Sequence, residues 1–278
     1  MNLENFIHAA LAEDVGDGDH TSLSTIDPKQ TGTAHLLAKE NGILSGLILA
    51  NTIFKIVDPE LYFSCEHVDG KAVEKGESIF KVSGSIQSIL KAERLVLNCM
   101  QRMSGIATTT RKYVDAVKGT SAKVMDTRKT TPLLRSLEKQ AVLTGGGHNH
   151  RFGLFDMILI KDNHVDSAGG ILPALEKAKN YLKKNHLQLP IEIETRTLAE
   201  VEEALSAGIA NRIMFDNFTP PLVKEGVDLV NKKTETEASG GITLQNIREY
   251  ALTGVDCISV GALTHSVKSL DLSLKIIK

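Results

Sequence analysis

The chain has 278 residues, 42% apolar and 24% charged, with a net charge of −2 at neutral pH. That length supports two hydrophobic cores, and the charge balance excludes a broad nucleic-acid-binding surface. Cys65, Cys99 and Cys257 are scattered and form no CxxC pair, which excludes a disulfide or cysteine–metal framework and points to reduced cytoplasmic thiols.

The N-terminus carries Glu4, Glu13 and Asp14 and lacks a basic start followed by an apolar core, so no secretory signal is expected. Apolar runs such as 43–50 fall far short of the roughly 20 residues a membrane helix needs. Leu3, Phe6, Ile7, Ala10 and Leu11 recur at helical spacing and predict an amphipathic helix over 2–13. The turn-rich segment from Glu13 to Thr21 follows. Asp17 and Asp19 lack the spacing and closing glutamate of an EF-hand loop, so the segment reads as a structural turn. A strand is expected at 33–38 and a helix at 45–57 starting from Ser45. Strands near 61–68 and 78–82 flank a hairpin region at 68–76. A long helix from about 86 to 103 is expected to break at Ser104-Gly105, with a second from 106 to 118.

From residue 123 the pattern changes. Short apolar runs appear at 123–126, 157–160, 191–193, 212–215, 236–238 and 257–260. Most are separated by helical segments, at 168–185, 197–207, 220–232 and 243–253. Such alternation marks a parallel sheet covered by helices, and without a GxGxxG after the first strand it favours a β/α barrel. Six strands in this length are too few for an eight-stranded barrel, so an incomplete or smaller one is expected.

Polar residues fall at the C-terminal ends of these runs: Arg128 and Lys129, Lys161, Glu194, Asp216, Ser239-Gly240-Gly241 and Gly261. Barrel active sites are built there because those ends converge. Residues 102–164 also hold eleven Lys or Arg against five acids, a local +6 that suits a small polyanion. The two glycine turns let backbone approach a phosphate, although each alone is also an ordinary tight turn. Glu194 and Asp216 suit Mg²⁺, directly or through water, or sugar hydroxyls; the alternative makes them ion-pair partners of Arg128 or Lys161. Arg128, His150 and Arg151 offer directional donors to carboxylates. A zinc site at His148, His150 and His164 is disfavoured by the cations around it. The residues alone therefore indicate a barrel enzyme binding a phosphorylated sugar and a carboxylated co-substrate.

Several long motifs resemble the quinolinate phosphoribosyltransferase family: Gln101-Arg102-Met103-Ser104-Gly105, Asp126-Thr127-Arg128-Lys129-Thr130-Thr131-Pro132, Gly145-Gly146-Gly147-His148-Asn149-His150-Arg151, Leu159-Ile160-Lys161-Asp162-Asn163-His164 and Ala238-Ser239-Gly240-Gly241-Ile242. The resemblance spans nearly the whole chain. It implies an N-terminal α/β sandwich domain (residues 1–108, with 268–278 returning to it) and a C-terminal incomplete, about seven-stranded β/α barrel (109–267). It implies conversion of quinolinate and phosphoribosyl pyrophosphate to nicotinate mononucleotide, pyrophosphate and CO₂ in NAD biosynthesis, with Mg²⁺, in the cytoplasm. It further implies a homodimer, or a higher assembly such as a hexamer, in which Arg102 reaches a neighbour's site. By motif, Arg102, Arg128, His150, Arg151 and Lys161 bind quinolinate. Lys129, Glu194, Asp216, Ser239, Gly240, Gly241 and Gly261 hold the phosphoribosyl donor. Lys129, Lys161, Glu194 and Asp216 form the catalytic set, with Glu194 and Asp216 at the metal. Glu194 is preferred to Glu192 from its distances to Leu198 and Asp216, and Thr195 stands where the family often has an aliphatic residue.

Overall fold

Asn2 opens the first helix by accepting the Asn5 amide hydrogen at 2.8 Å in the computed structural model, which describes residues 2–277. In chain order the elements begin α1 (Leu3–Val15), α2 (His20–Thr25), β1 (Thr31–Ala38), β2 (Gly42–Ile43), α3 (Leu47–Val57), β3 (Tyr62–Cys65), β4 (Ala72–Val73), β5 (Ser78–Ser85) and α4 (Ile86–Ala116). There follow β6 (Lys123–Met125), α5 (Arg135–Thr144), β7 (Ile158–Ile160), α6 (Asp162–Ala168), α7 (Ile171–Lys184), β8 (Ile191–Thr195) and α8 (Leu198–Ala207). The last are β9 (Arg212–Asp216), α9 (Pro220–Val230), β10 (Glu235–Ser239), α10 (Ile247–Ala251), β11 (Cys257–Ser259), α11 (Ala262–His265) and β12 (Leu272–Ile277).

Backbone contacts divide the chain into two units. The first comprises residues 1–111, 132–146 and 267–278. Its antiparallel sheet has the order β12-β1-β5-β3, so the chain's last strand pairs with its first. On β1, Ala34, Leu36 and Ala38 alternate into the core, and Phe54, Phe63 and Phe80 cluster with ring centroids 4.7–6.2 Å apart. Asp19 caps α2 by accepting from the Ser22 amide and hydroxyl, a structural use of the turn in which it lies.

Three details differ from the sequence expectations for this unit. The helix expected to break at Ser104-Gly105 runs unbroken for 31 residues. A Cβ on Gly105 would lie 2.3 Å from Lys268 O, so this glycine serves a close backbone approach and does not end the helix. Ser104 Oγ meanwhile accepts from the Ser45 amide at 3.0 Å. Ser45 precedes α3 without capping it; Gly46, at φ +105, holds the N-cap position. Residues 132–146, assigned to the barrel by sequence, group with the first unit: Gly145 O accepts from Arg111 Nε at 3.0 Å, and Glu138 accepts from Arg102.

The second unit comprises residues 112–131 and 147–266. Its sheet is parallel throughout, ordered β6-β11-β10-β9-β8-β7, with helices between successive strands. Of the seven strands implied by the resemblance, six are extended. The seventh is reduced to one parallel bridge from His148 to Met125, carried by His148 N donating to Val124 O and Asp126 N donating to His148 O. The helix expected at 168–185 is α7, which starts only at Ile171, after Gly169-Gly170, where both residues have positive φ; the short helix α6 before it was not expected. The helix expected at 243–253 is confined to α10. Among the described residues no helix is long and apolar enough to cross a membrane.

Candidate active site

Strand alternation gathers the polar residues. Glu192 and Glu194 share one face of β8; Arg212, Met214 and Asp216 share one face of β9; Glu235, Glu237 and Ser239 share one face of β10. The register sets Glu194 beside Met214 and Asp216 beside Ser239. The residues nearest the strand C-termini line a pocket of about 750 Å³, within the roughly 300–1,000 Å³ usual for ligand sites. Of those further back, Met214 and Glu237 also line it, whereas Glu192, Arg212 and Glu235 do not.

Arg128, Lys129, His150, Arg151, Lys161, Glu194, Asp216, Ser239, Gly240, Gly241 and Gly261 all line this pocket. Arg102 does not. It lies in the first unit, where Glu138 Oε1 accepts from its Nε at 2.7 Å and its Nη2 at 2.6 Å.

Arg128 and Arg151 make the pocket's strongest demand for an anion. Burial first, then the neighbouring Arg128 charge, pulls the Arg151 guanidinium below its ordinary pKa. Arg128 Nε is buried and has no hydrogen-bond partner among the described residues. Two guanidiniums held near one another, one with an orphan donor, are satisfied together by a carboxylate. Lys161 adds a third cation. Its Nζ lies 2.6 Å from Glu194 Oε1, so the ion-pair role weighed for Glu194 is present in the structure. Glu194 is nearly buried at 8% exposure, whereas Lys161 is half exposed.

Part of the lining, at Gly240, Gly241 and Gly261, is bare backbone. Gly240 has φ +95, and a Cβ there would sit 2.2 Å from Asn217 Oδ1. Asn217, itself at φ +58, donates its amide hydrogen to Ser239 O at 2.8 Å and its Nδ2 hydrogen to Asp216 Oδ2 at 2.9 Å. Lys129 is fixed at its backbone, where its carbonyl accepts from Thr264 Oγ1 at 2.8 Å.

Beneath the pocket is a buried ionic layer. His150 Nε2 lies 3.1 Å from Glu192 Oε2 and 3.5 Å from Glu237 Oε2. Arg212 Nη1 reaches the same two oxygens at 3.4 and 2.8 Å. Burial alone would lower the His150 pKa, but hydrogen bonds to Glu192 and Glu237 outweigh it and bring the ring to about 9. The neutral ring accepts the Arg151 amide hydrogen at Nδ1, 2.7 Å away, and the charged ring gives that bond up. Charge-assisted bonds to two carboxylates are the stronger set, so the imidazolium prevails at neutral pH. Burial and then Glu237 push Glu192 upward; Glu237 is itself lowered, because His150 and Arg212 overcome its own burial.

The three histidines of the rejected zinc reading do not converge. His148 is exposed on its bridge, and His164 Nδ1 accepts the Lys161 amide hydrogen at 2.9 Å. Among the described residues the one cluster at metal-ligand spacing is His150, Glu192 and Glu237, and Arg212 already occupies it. Sequence reasoning missed Arg212, Glu237 and Asn217. The first two lie four and two residues before the selected Asp216 and Ser239, so period-2 counting back along each strand finds them.

Comparison with known proteins gives this arrangement its context. Family models for the N-terminal and C-terminal domains of quinolinate phosphoribosyl transferase match residues 19–104 and 106–275. The chain belongs to the quinolinate phosphoribosyltransferase family. Within the family, quinolinate phosphoribosyltransferase (decarboxylating) 1b of Nicotiana tabacum is 50% identical over 290 aligned residues, covering 99% of this chain and 82% of the relative. A probable nicotinate-nucleotide pyrophosphorylase (carboxylating) of Bacillus subtilis is 44% identical, covering 99% of this chain and 94% of its own. The solved structure of NadC from Streptococcus pyogenes superposes with a TM-score of 0.94 at 37% identity, covering 99% of this chain and 97% of that one. As a member of the quinolinate phosphoribosyltransferase family the chain is an enzyme, and it carries the family's two-domain α/β fold.

Proposed function

We propose that the pocket binds quinolinate and phosphoribosyl pyrophosphate and makes nicotinate mononucleotide, pyrophosphate and CO₂, a step of NAD biosynthesis. One observation carries the assignment of roles: the Arg128–Arg151 pair, with its orphan buried donor, lines the same pocket as the bare backbone of Gly240, Gly241 and Gly261. Arg128, Arg151 and Lys161 take the two carboxylates of quinolinate, with His150 at their floor. Lys129, Ser239, Gly240, Gly241 and Gly261 take the phosphoribosyl donor. Glu194 and Asp216 are hard oxygen donors at adjacent strand ends and fit Mg²⁺, held directly or through water. When bound, the ion supplies positive charge to the departing pyrophosphate.

The residues then divide the work. Lys129 draws negative charge from the leaving group as the bond from ribose carbon to pyrophosphate oxygen breaks. Glu194 and Asp216 face the positive charge that develops on the ribose. The cation trio holds the pyridine nitrogen in line to form the new bond. Ring nitrogen then carries formal positive charge; when the adjacent carboxylate departs as CO₂, the electron pair of the broken bond stays on that ring carbon, stabilised by the positive nitrogen beside it, and takes a proton from water to complete the product. No covalent attachment to the protein is needed.

The reading extends to a homodimer, in which Arg102 completes the pocket of the partner, and to the cytoplasm, where Cys65, Cys99 and Cys257 stay reduced. The test is incubation of the purified chain with quinolinate, phosphoribosyl pyrophosphate and Mg²⁺, following nicotinate mononucleotide and released CO₂. Arg128→Ala and Lys161→Ala are expected to abolish turnover with melting temperature nearly unchanged. Product without CO₂ from nicotinate in place of quinolinate, or near-normal activity of either variant, refutes the assignment.

A further inference from the structure

Glu192, Glu237 and Arg212, the partners of His150 in the ionic layer, have no part in the chemistry just described, yet theirs is an expensive arrangement. Glu192 and Glu237 are fully buried, and Glu237 Oε1 is buried with no hydrogen-bond partner among the described residues. Arg212 shares its Nη1 between these two acids and gives its other edge to Glu235, with Nε at 2.8 Å and Nη2 at 2.6 Å from Oε2. Three carboxylates around one guanidinium at the centre of a barrel are not explained by stability, since apolar residues of similar volume usually serve at least as well. What the layer does achieve is geometric. Each of two carboxylates is shared by the His150 imidazole and the Arg212 guanidinium, so four side chains close a ring with one arrangement. The His150 backbone is tethered as well, its amide donating to Asp126 Oδ1 at 2.9 Å. Of these four side chains His150 and Glu237 line the pocket, and Glu192 and Arg212 do not.

We propose that Glu192 and Glu237 are positioning residues for quinolinate, acting through His150. They clamp the imidazole at the pocket floor. This rests on the reading of the pocket as a quinolinate site.

The test compares Glu237→Gln and Glu192→Gln, with Glu237→Asp as the milder change, by steady-state kinetics well below each variant's melting temperature. For either Gln variant KM for quinolinate is expected to rise about tenfold, the size of one lost hydrogen bond to a charged group, while KM for phosphoribosyl pyrophosphate stays within about twofold. Glu237→Asp is expected to fall between wild type and Glu237→Gln. The double variant His150→Ala/Glu192→Gln is expected to match His150→Ala alone, because Glu192 does not line the pocket and acts only through the imidazole. Unchanged quinolinate KM despite a lower melting temperature, equal rises in both KM values, or additive losses in the double variant each overturn the proposal. If His150→Ala itself leaves quinolinate kinetics unaltered, the failure lies in the parent assignment of His150.

Discussion

Replacing Arg212 by Met keeps most of the side chain's length and removes its charge, which isolates the electrostatic role of the ionic layer. The guanidinium contacts Glu192, Glu235 and Glu237, two of them fully buried and the third a third exposed. Deleting one partner of a buried ion pair costs roughly 3–5 kcal/mol, because the remaining charge is left uncompensated. A middle value of about 4 kcal/mol corresponds to a fall in melting temperature of about 8–16 °C for a domain of this size. The loss depends on pH, and its sign follows from Glu192. Burial, then Glu237, raises its pKa above 4.5 in the folded chain. The folded state therefore binds this proton more tightly than the unfolded chain, so stability is gained as pH falls and lost as pH rises through the folded pKa. Removing Arg212 pushes Glu192 further up. Thermal unfolding followed by circular dichroism is expected to show the full deficit at pH 8 and a smaller one at pH 5.5. A melting temperature within about 3 °C of wild type at pH 8 would refute the reasoning. So would a deficit that is equal or larger at pH 5.5.

Three further outcomes follow from backbone geometry. Gly105→Ala in α4 is expected to lower the melting temperature, because its Cβ would meet Lys268 O at 2.3 Å; helix propensity alone argues for a gain of about 1 kcal/mol, so the sign of the shift decides between them. Gly240→Ala is expected to cut kcat/KM for phosphoribosyl pyrophosphate more than about tenfold, because its Cβ would meet Asn217 Oδ1 at 2.2 Å and displace that side chain; activity within about threefold of wild type would count against it. Leu133 is an exposed non-glycine residue at φ +66; Leu133→Gly is expected to be neutral or to stabilise by up to about 1 kcal/mol in chemical denaturation, and Leu133→Ala, which keeps the strain, is not.

The barrel was legible because its signals are local. Runs such as 157–160, Met-Ile-Leu-Ile, are apolar on both faces, and the residue that ends each run sits where parallel strands must deliver it. What escaped was set by distant parts of the chain. Gly105 looks like a helix breaker until the returning segment at Lys268 is brought against it, which no window of sequence around residue 105 contains. The seventh strand escaped notice because a single bridge at His148 is announced by no apolar run. Arg212 and Glu237 read as ordinary polar positions in a strand, and only the register that sets Glu235 beside Arg212, and Glu237 beside Met214, reveals a shared ionic layer. The motif residues were found as a set, yet Arg102 shows the limit of motif reading: its place in the first unit beside Glu138 is decided by tertiary packing.

The two glutamates of β8 are separated by one isoleucine, and both depend on the same pleat. Glu194 meets Lys161 in the pocket while Glu192 meets His150 and Arg212 below it. A slip of one position along this strand would send both acids toward the outer helices and turn Ile191, Ile193 and Thr195 inward. Insertions in the helices outside can be absorbed by loops, but a single added residue within β8 would erase the upper and the lower ion pairs at one stroke. The spacing of that short strand is thus a stricter requirement on this chain than the identity of most side chains around it.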